Sequence, residues 1–190
     1  MHLHLADRPA AALMLGHGAG GSVAATDLLA VTSAALAVRI SVGLVEQPYR
    51  VAGRRSPAPA RQLDAAWAAV VAHLRADALR DLAPMVGGRS SGARVACRTA
   101  AEVGAVAVVC LAFPLHPPGR GDDPTKSRLP ELEAVRVPTL VIQGQSDPFG
   151  MPPDGPDRTV VRVPGDHALR SSAAVMAAAS EWLAARVAAI

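Results

Sequence analysis

Met85-Val86-Gly87-Gly88-Arg89-Ser90-Ser91-Gly92 is the stretch of this chain best suited to chemistry. A short apolar run ends in glycines, and Gly88-Arg89-Ser90-Ser91-Gly92 reads G-x-S-x-G. The sequence then turns helical, with Ala93, Val95, Ala96 and Ala100 punctuated by Arg94 and Arg98. A serine on a tight strand-to-helix turn is exposed and strained. Glycine on both sides keeps any Cβ from colliding with the neighbouring strand or helix. A hydroxyl held that way becomes a nucleophile once a base comes within reach. Taken alone, the pattern also fits a glycine-rich turn that happens to contain serines.

Three more polar segments close apolar runs. Gly16-His17-Gly18-Ala19-Gly20-Gly21 follows one, Gln143-Gly144-Gln145-Ser146-Asp147-Pro148 another, and Pro164-Gly165-Asp166-His167 a third. Serine, acid, histidine is the chain order expected of a triad on a parallel sheet. His167 can take the serine proton, and Asp147 can fix the imidazole tautomer and stabilise the imidazolium. The backbone N–H of Ser91 offers one donor to a tetrahedral oxyanion, and Gly18 or Ala19 the other. Each piece has a plainer reading. Asp147-Pro148 also starts an ordinary turn, and His167 can be a polar residue at a helix start. Gly16 to Gly21 also spells G-x-G-x-x-G, with Glu46 after the next strand, as in a dinucleotide site. That alternative explains two loops and leaves Ser90, Asp147 and His167 as accidents. The triad explains four.

Positioning four loops on one edge requires a sheet with covered faces. Strands are expected at 11–15, 39–45, 85–87, 105–113, 139–142 and 159–163, and helices at 27–38, 57–76, 91–103, 129–135 and 171–187. The helix at 57–76 carries Leu63, Trp67, Val70, Val71 and Leu74 at helical spacing. Uniformly apolar strands alternating with helices mean βαβ units and a mainly parallel sheet. Ligands then gather at the carboxyl ends of the strands. The loops 114–123 and 150–156 are too short to mark a second domain, so 1–190 reads as one domain.

Composition narrows the class. At 190 residues, 51% of them hydrophobic, the chain buries a sizeable core. No run of 18 apolar residues exists, so no membrane span is expected. The start lacks a basic n-region and a long apolar run, so it does not read as a signal peptide, and a cytoplasmic location is the default. Cys97 and Cys110 fit small core residues, with no metal-type spacing. The net charge of +3 comes with only 3% aromatics, which leaves no base-stacking platform and gives no reason to expect nucleic acid. Arg50, Arg54 and Arg55 form the one basic cluster and read as a solvated loop. No cofactor or metal is implied. The expected partner is a small-molecule substrate, and oligomeric state is not encoded legibly.

With these motifs in place, the chain resembles the α/β-hydrolase superfamily, and within it the small cap-less proteins near the dienelactone hydrolases. The resemblance rests on Leu15-Gly16-His17-Gly18-Ala19-Gly20-Gly21, on Gly87-Gly88-Arg89-Ser90-Ser91-Gly92-Ala93-Arg94, and on Phe113-Pro114-Leu115-His116-Pro117-Pro118-Gly119. It extends through Val137-Pro138-Thr139-Leu140-Val141-Ile142-Gln143-Gly144, Asp147-Pro148-Phe149-Gly150 and Gly165-Asp166-His167. It implies an α/β-hydrolase fold of about seven mainly parallel strands with helices on both faces and no cap. It also implies Ser90 as nucleophile, Asp147 as acid and His167 as base. Two departures stand out. Ser91 and Ala93 stand where such proteins often have Met and Gly, and only one brief strand fits before Ala11 where an antiparallel pair is usual. His17, Arg89, Phe113, His116 and Phe149 are candidates for the pocket walls. Of these, His17 is expected to shape the oxyanion loop, and Arg89 to face solvent or an acidic substrate group. The reading that follows is a serine hydrolase acting on an ester or thioester of a small substrate through an acyl-enzyme. A non-catalytic binding or scaffold protein on the same fold is the alternative, and a dinucleotide-binding protein the more distant one.

Overall fold

A computed structural model describes residues Met1–Ile190. Its backbone follows the hydrophobic pattern. Six apolar segments become the parallel strands β2 (Ala11–Gly16), β3 (Ile40–Val45), β4 (Ala83–Arg89), β5 (Ala107–Leu111), β6 (Thr139–Gly144) and β7 (Arg158–Val163). A short β1 (His2–His4) lies antiparallel on β3, completing a seven-stranded sheet in the order β1-β3-β2-β4-β5-β6-β7. The brief N-terminal strand is thus present and covers the β3 edge.

Helices cover both faces because β2 to β6 are apolar on both. Helices α1 (Thr26–Ala37) and α6 (Ser172–Val187) pack on one face with Leu13, Leu15, Val109 and Leu140. On the other, α3 (Ala60–Ala76), α4 (Ser91–Thr99) and α5 (Leu129–Glu133) enclose Met14, Val86, Val108 and Val141. Arg94 and Arg98 face outward from α4. Arg98 binds Asp64 of α3 at 2.6 Å, and Arg94 binds Glu131 of α5 at 2.5 Å. These half-buried pairs clamp the helix that follows the serine. Cys97 and Cys110 are buried free thiols, their sulfurs 3.5 Å apart.

Several element ends differ from the sequence expectation, for local reasons. Helix α3 begins at Ala60 and not at residue 57, because Pro57 and Pro59 drive the residues before them into extended backbone. Helix α4 stops at Thr99, where the chain curls so that the Ala105 N–H reaches the Ala100 carbonyl. Strand β6 runs past Ile142 to pair Gln143 and Gly144 with Arg162 and Val163. A one-turn helix, α2 (Pro48–Val51), holds Arg50, which the sequence assigned to a loop.

Strands β5 and β6 are joined by residues 112–138, which hold only a 3-10 turn (Pro124–Lys126) and α5. No domain sits above the carboxyl edge of the sheet. No helix is long and apolar enough to cross a membrane. Leu13, fully buried on the central strand β2, is expected to be worth about 3 kcal/mol. Leu13→Ala should lower the unfolding free energy by about that amount in a urea titration, and a change below about 1 kcal/mol would contradict the packing described.

Candidate active site

The sharpest backbone feature lies between β4 and α4. Ser90 has φ 51° and ψ −110°, outside the regions L-residues favour. The turn can close because two glycines flank it. A Cβ on Gly88 or on Gly92 would run into the carbonyl oxygen of Gly16 at the end of β2. The ladder holds the other side, with the Ser90 N–H donating to the Leu111 carbonyl at 2.8 Å. Ser90 therefore projects from the carboxyl edge with its hydroxyl free of the helix cap.

That hydroxyl meets His167. The Ser90 Oγ lies 3.0 Å from His167 Nε2, and His167 Nδ1 lies 2.8 Å from Asp147 Oδ2. A carboxylate accepts only, so Nδ1 carries the proton and Nε2 accepts from the serine. The Asp147 side chain is fully buried and that of His167 is 19% exposed. Burying Asp147 demands hydrogen bonds, and it has three. Its Oδ1 accepts from the Phe149 N–H, while Oδ2 accepts from Gln143 Nε2 as well as from His167. The two N–H donors of Gln143 Nε2 are shared among Asp147 and the carbonyls of Phe113 and Gly150, tying the acid loop to the end of β5. The Phe149 ring lies over the imidazole with centroids 4.1 Å apart. Serine, imidazole and carboxylate so linked can pass a proton from Oγ to Nε2 while the carboxylate stays charged.

The Gly16–Gly21 loop is fixed by groups from beyond β3. The Gln47 N–H donates to His17 Nε2, so His17 Nδ1 bears the proton and donates to the Gly18 carbonyl at 2.7 Å. Burial pushes the His17 pKa down, against the pull of the Gly18 carbonyl and Glu46, which keeps the ring in this neutral form. In a trans peptide the N–H lies opposite the C=O, so the Ala19 N–H points away from His17. Tyr49 donates to the Ala19 carbonyl at 2.8 Å. The N–H groups of Ala19 and of Ser91 have no acceptor within the protein. Two unpaired donors beside a nucleophile suit a developing oxyanion. The loop continues for several residues before α1 begins at Thr26, whereas a dinucleotide fingerprint opens its helix within the glycine motif.

His17 is 1% exposed and braces the Gly16–Gly21 loop from behind. Two expected pocket residues sit elsewhere. Phe113 is fully buried in the core beneath α4, because the chain turns inward at the end of β5. His116 Nδ1 donates to the Pro117 carbonyl at 2.8 Å, and the ring packs on Gly121 and Gly150, holding the loop that carries Phe149. Only Phe149 touches the imidazole. Arg89 does not face solvent. Its Nε donates to Asp27 Oδ2 at 2.8 Å, and its Nη2 donates to the His167 carbonyl at 2.9 Å. It thereby ties the serine turn to α1 and to the histidine loop. Asp27, Tyr49, Gln47 and Gln143 went unnoticed in the sequence. The one available signal was Gln143, a polar residue closing an apolar strand.

Residues 9–172 match the family model of the alpha/beta hydrolase domain, and the chain belongs to that family. Among solved structures it is similar to a serine hydrolase without a lid from Xanthomonas campestris. The two are 20% identical, with a TM-score of 0.67 over 95% of this chain and 87% of that one. Est1E from Butyrivibrio proteoclasticus is 14% identical, with a TM-score of 0.75 over 98% and 93% of the two chains. A dienelactone hydrolase from Anabaena variabilis is 19% identical, with a TM-score of 0.69 over 95% and 87%. At these identities the likeness is one of fold. No curated protein matches in sequence.

The Arg89–Asp27 pair makes a pH-dependent prediction. Burial raises the Asp27 pKa, opposed first by the Arg89 charge and then by hydrogen bonds to the Leu28 N–H and Arg89. Removing Arg89 leaves a buried carboxylate with its main counterweight gone, so its folded pKa climbs further. A raised carboxylate pKa gives relative stability at low pH that is lost as pH rises through that pKa. Arg89→Ala should therefore cost about 3 kcal/mol at neutral pH, and the deficit should shrink as pH falls toward the ordinary carboxylate range. Denaturant titrations across pH check this; a deficit independent of pH would contradict it.

Proposed function

We propose that the protein is a serine hydrolase that cleaves an ester or thioester of a small substrate through an acyl-enzyme. The observation that carries this reading is the continuous hydrogen-bonded chain from Ser90 Oγ through His167 to Asp147. Ser90 Oγ attacks the acyl carbon as its proton passes to His167 Nε2. The tetrahedral oxyanion accepts from the Ala19 and Ser91 N–H groups. Imidazolium, held by Asp147, then protonates the leaving oxygen or sulfur, and an acyl-serine remains. Water, deprotonated by His167, attacks that ester and releases the acid. Every proton that leaves an attacking oxygen returns to a departing group, so the site ends as it began.

The substrate side of this proposal draws on the absence of a cap over the site. An open edge suits small or extended esters better than ones that must be enclosed. The serine hydrolase without a lid and the dienelactone hydrolase of similar fold support the same class of reaction.

Short p-nitrophenyl esters provide the test. Ser90→Ala should abolish hydrolysis above the uncatalysed rate, while activity equal to the parent would refute the proposal. Asp147→Asn reverses the tautomer preference of His167 and should lower kcat by on the order of 10⁴ with KM little changed. A loss below tenfold would remove Asp147 from the mechanism.

A further inference from the structure

The arginines at 50, 54 and 55 surround a cavity of about 280 Å³ beside the oxyanion loop, shared with Glu46, Ser22 and His17. The segment that carries them is built and anchored. Tyr49 and Gln47 pin it to Ala19 and His17. Helix α2 then closes with the Gly53 N–H on the Arg50 carbonyl and the Arg54 N–H on the Tyr49 carbonyl, with Gly53 at φ 71°. This is a helix stop that only a left-handed residue permits. It delivers Arg54 and Arg55 to the same side as Arg50.

Charge in the cavity is predominantly positive, three arginines against one glutamate. The ion pairs of the chain use Arg8, Arg89, Arg94, Arg98, His2 and His167. None of the three cavity arginines is paired. Glu46 is the one acid there, and it lies 4.0 Å from His2. No hydrophobic side chain lines the cavity, so it suits a charged group and not an acyl tail. Guanidinium groups match carboxylate and phosphate oxygens in geometry as well as charge. The volume is that of a head group, below the usual range for a whole drug-sized ligand.

Its position relates it to Ser90. Strand β2 lies between β3 and β4, with Gly16 paired to Val45 on one side and to Gly88 on the other. The loop after β3 therefore starts two strand spacings, about 10 Å, from the serine turn. A substrate with its carbonyl at Ser90 reaches the arginines by crossing the oxyanion loop.

We propose that this cavity binds an anionic group of the substrate, a carboxylate or phosphate held on the β3 side of the scissile carbonyl. The inference rests on the serine hydrolase reading and specifies its substrate class. Ionic esters are favoured over neutral ones of equal length, with Arg50, Arg54 and Arg55 setting the preference.

The experiment compares mono-p-nitrophenyl suberate, which has a carboxylate at the far end of its acyl chain, with neutral p-nitrophenyl octanoate of the same length. The parent should prefer the suberate ester by about tenfold in kcat/KM at low salt and lose that preference in about 0.5 M salt. The triple variant Arg50→Ala, Arg54→Ala, Arg55→Ala should lose it at low salt while keeping the octanoate rate. Equal kcat/KM for the two esters in the parent, or a preference that survives in the triple variant, overturns the proposal. If neither ester is hydrolysed, the hydrolase reading fails and binding decides the anion site. Free suberate should then titrate calorimetrically into the parent protein and not into the triple variant, and no binding to the parent overturns the site.

Discussion

The architecture hangs on the contact of three backbones at the carboxyl edge of the sheet. Gly88 and Gly92 press against the Gly16 carbonyl so closely that neither can carry a Cβ. That contact lets β4 turn into α4 within one residue, and it forces Ser90 into its left-handed conformation. The strain is local and is offset elsewhere. Strand β4 is paired along its length on both sides, and α4 is clamped by Arg94 and Arg98 to its neighbours. A strained residue persists only where its surroundings over-determine it, and here a central strand with a buried middle and a tied helix do so.

From that turn the other parts acquire their places. The same approach that crowds Gly16 sets the glycine loop beside Ser90, where a Cβ on Gly18 would meet the Ser90 Cβ. Arg89, adjacent to the serine, reaches Asp27 and the His167 carbonyl. One side chain thereby couples the serine turn, the first helix and the histidine loop. On the opposite side of the imidazole, Asp147 is held by the Phe149 N–H and by Gln143. The imidazole itself is only partly buried, so its orientation comes from the ring of Phe149, from Asp147 and from the backbone anchor that Arg89 provides. The Ser90–His167–Asp147 chain is short-range, but the groups that fix it come from every strand end between β3 and β7.

Much of this was legible in the sequence because sheet order converts strand ends into neighbours. Ser90, Asp147 and His167 each follow an apolar run, and a parallel sheet brings such positions to one edge whatever the intervening length. Fold class and element order were readable for the same reason. What escaped depends on side chains meeting across long separations. Asp27 and Arg89 lie 62 residues apart, and Gln47 and His17 lie 30 apart; neither pair shares a periodic pattern. Arg89 read as facing solvent or an acidic substrate group because a lone arginine between Gly88 and Ser90 carries no sign of its buried acid. Phe113 read as a pocket wall because it ends a strand, whereas the chain turns there and sends the ring into the core. Gln143 read as the first loop residue after a strand ending at Ile142 because it is polar, yet it lies buried within β6 and its amide bridges the acid loop and β5.

The proposed hydrolysis requires Ser90 to be the nucleophile of a working site. An active-site-directed fluorophosphonate, followed by mass spectrometry of the digested protein, tests that most directly. It requires a phosphonyl adduct on Ser90, absent when His167 is replaced by Ala. No adduct on the folded protein, or an adduct on Ser91 in place of Ser90, would contradict it.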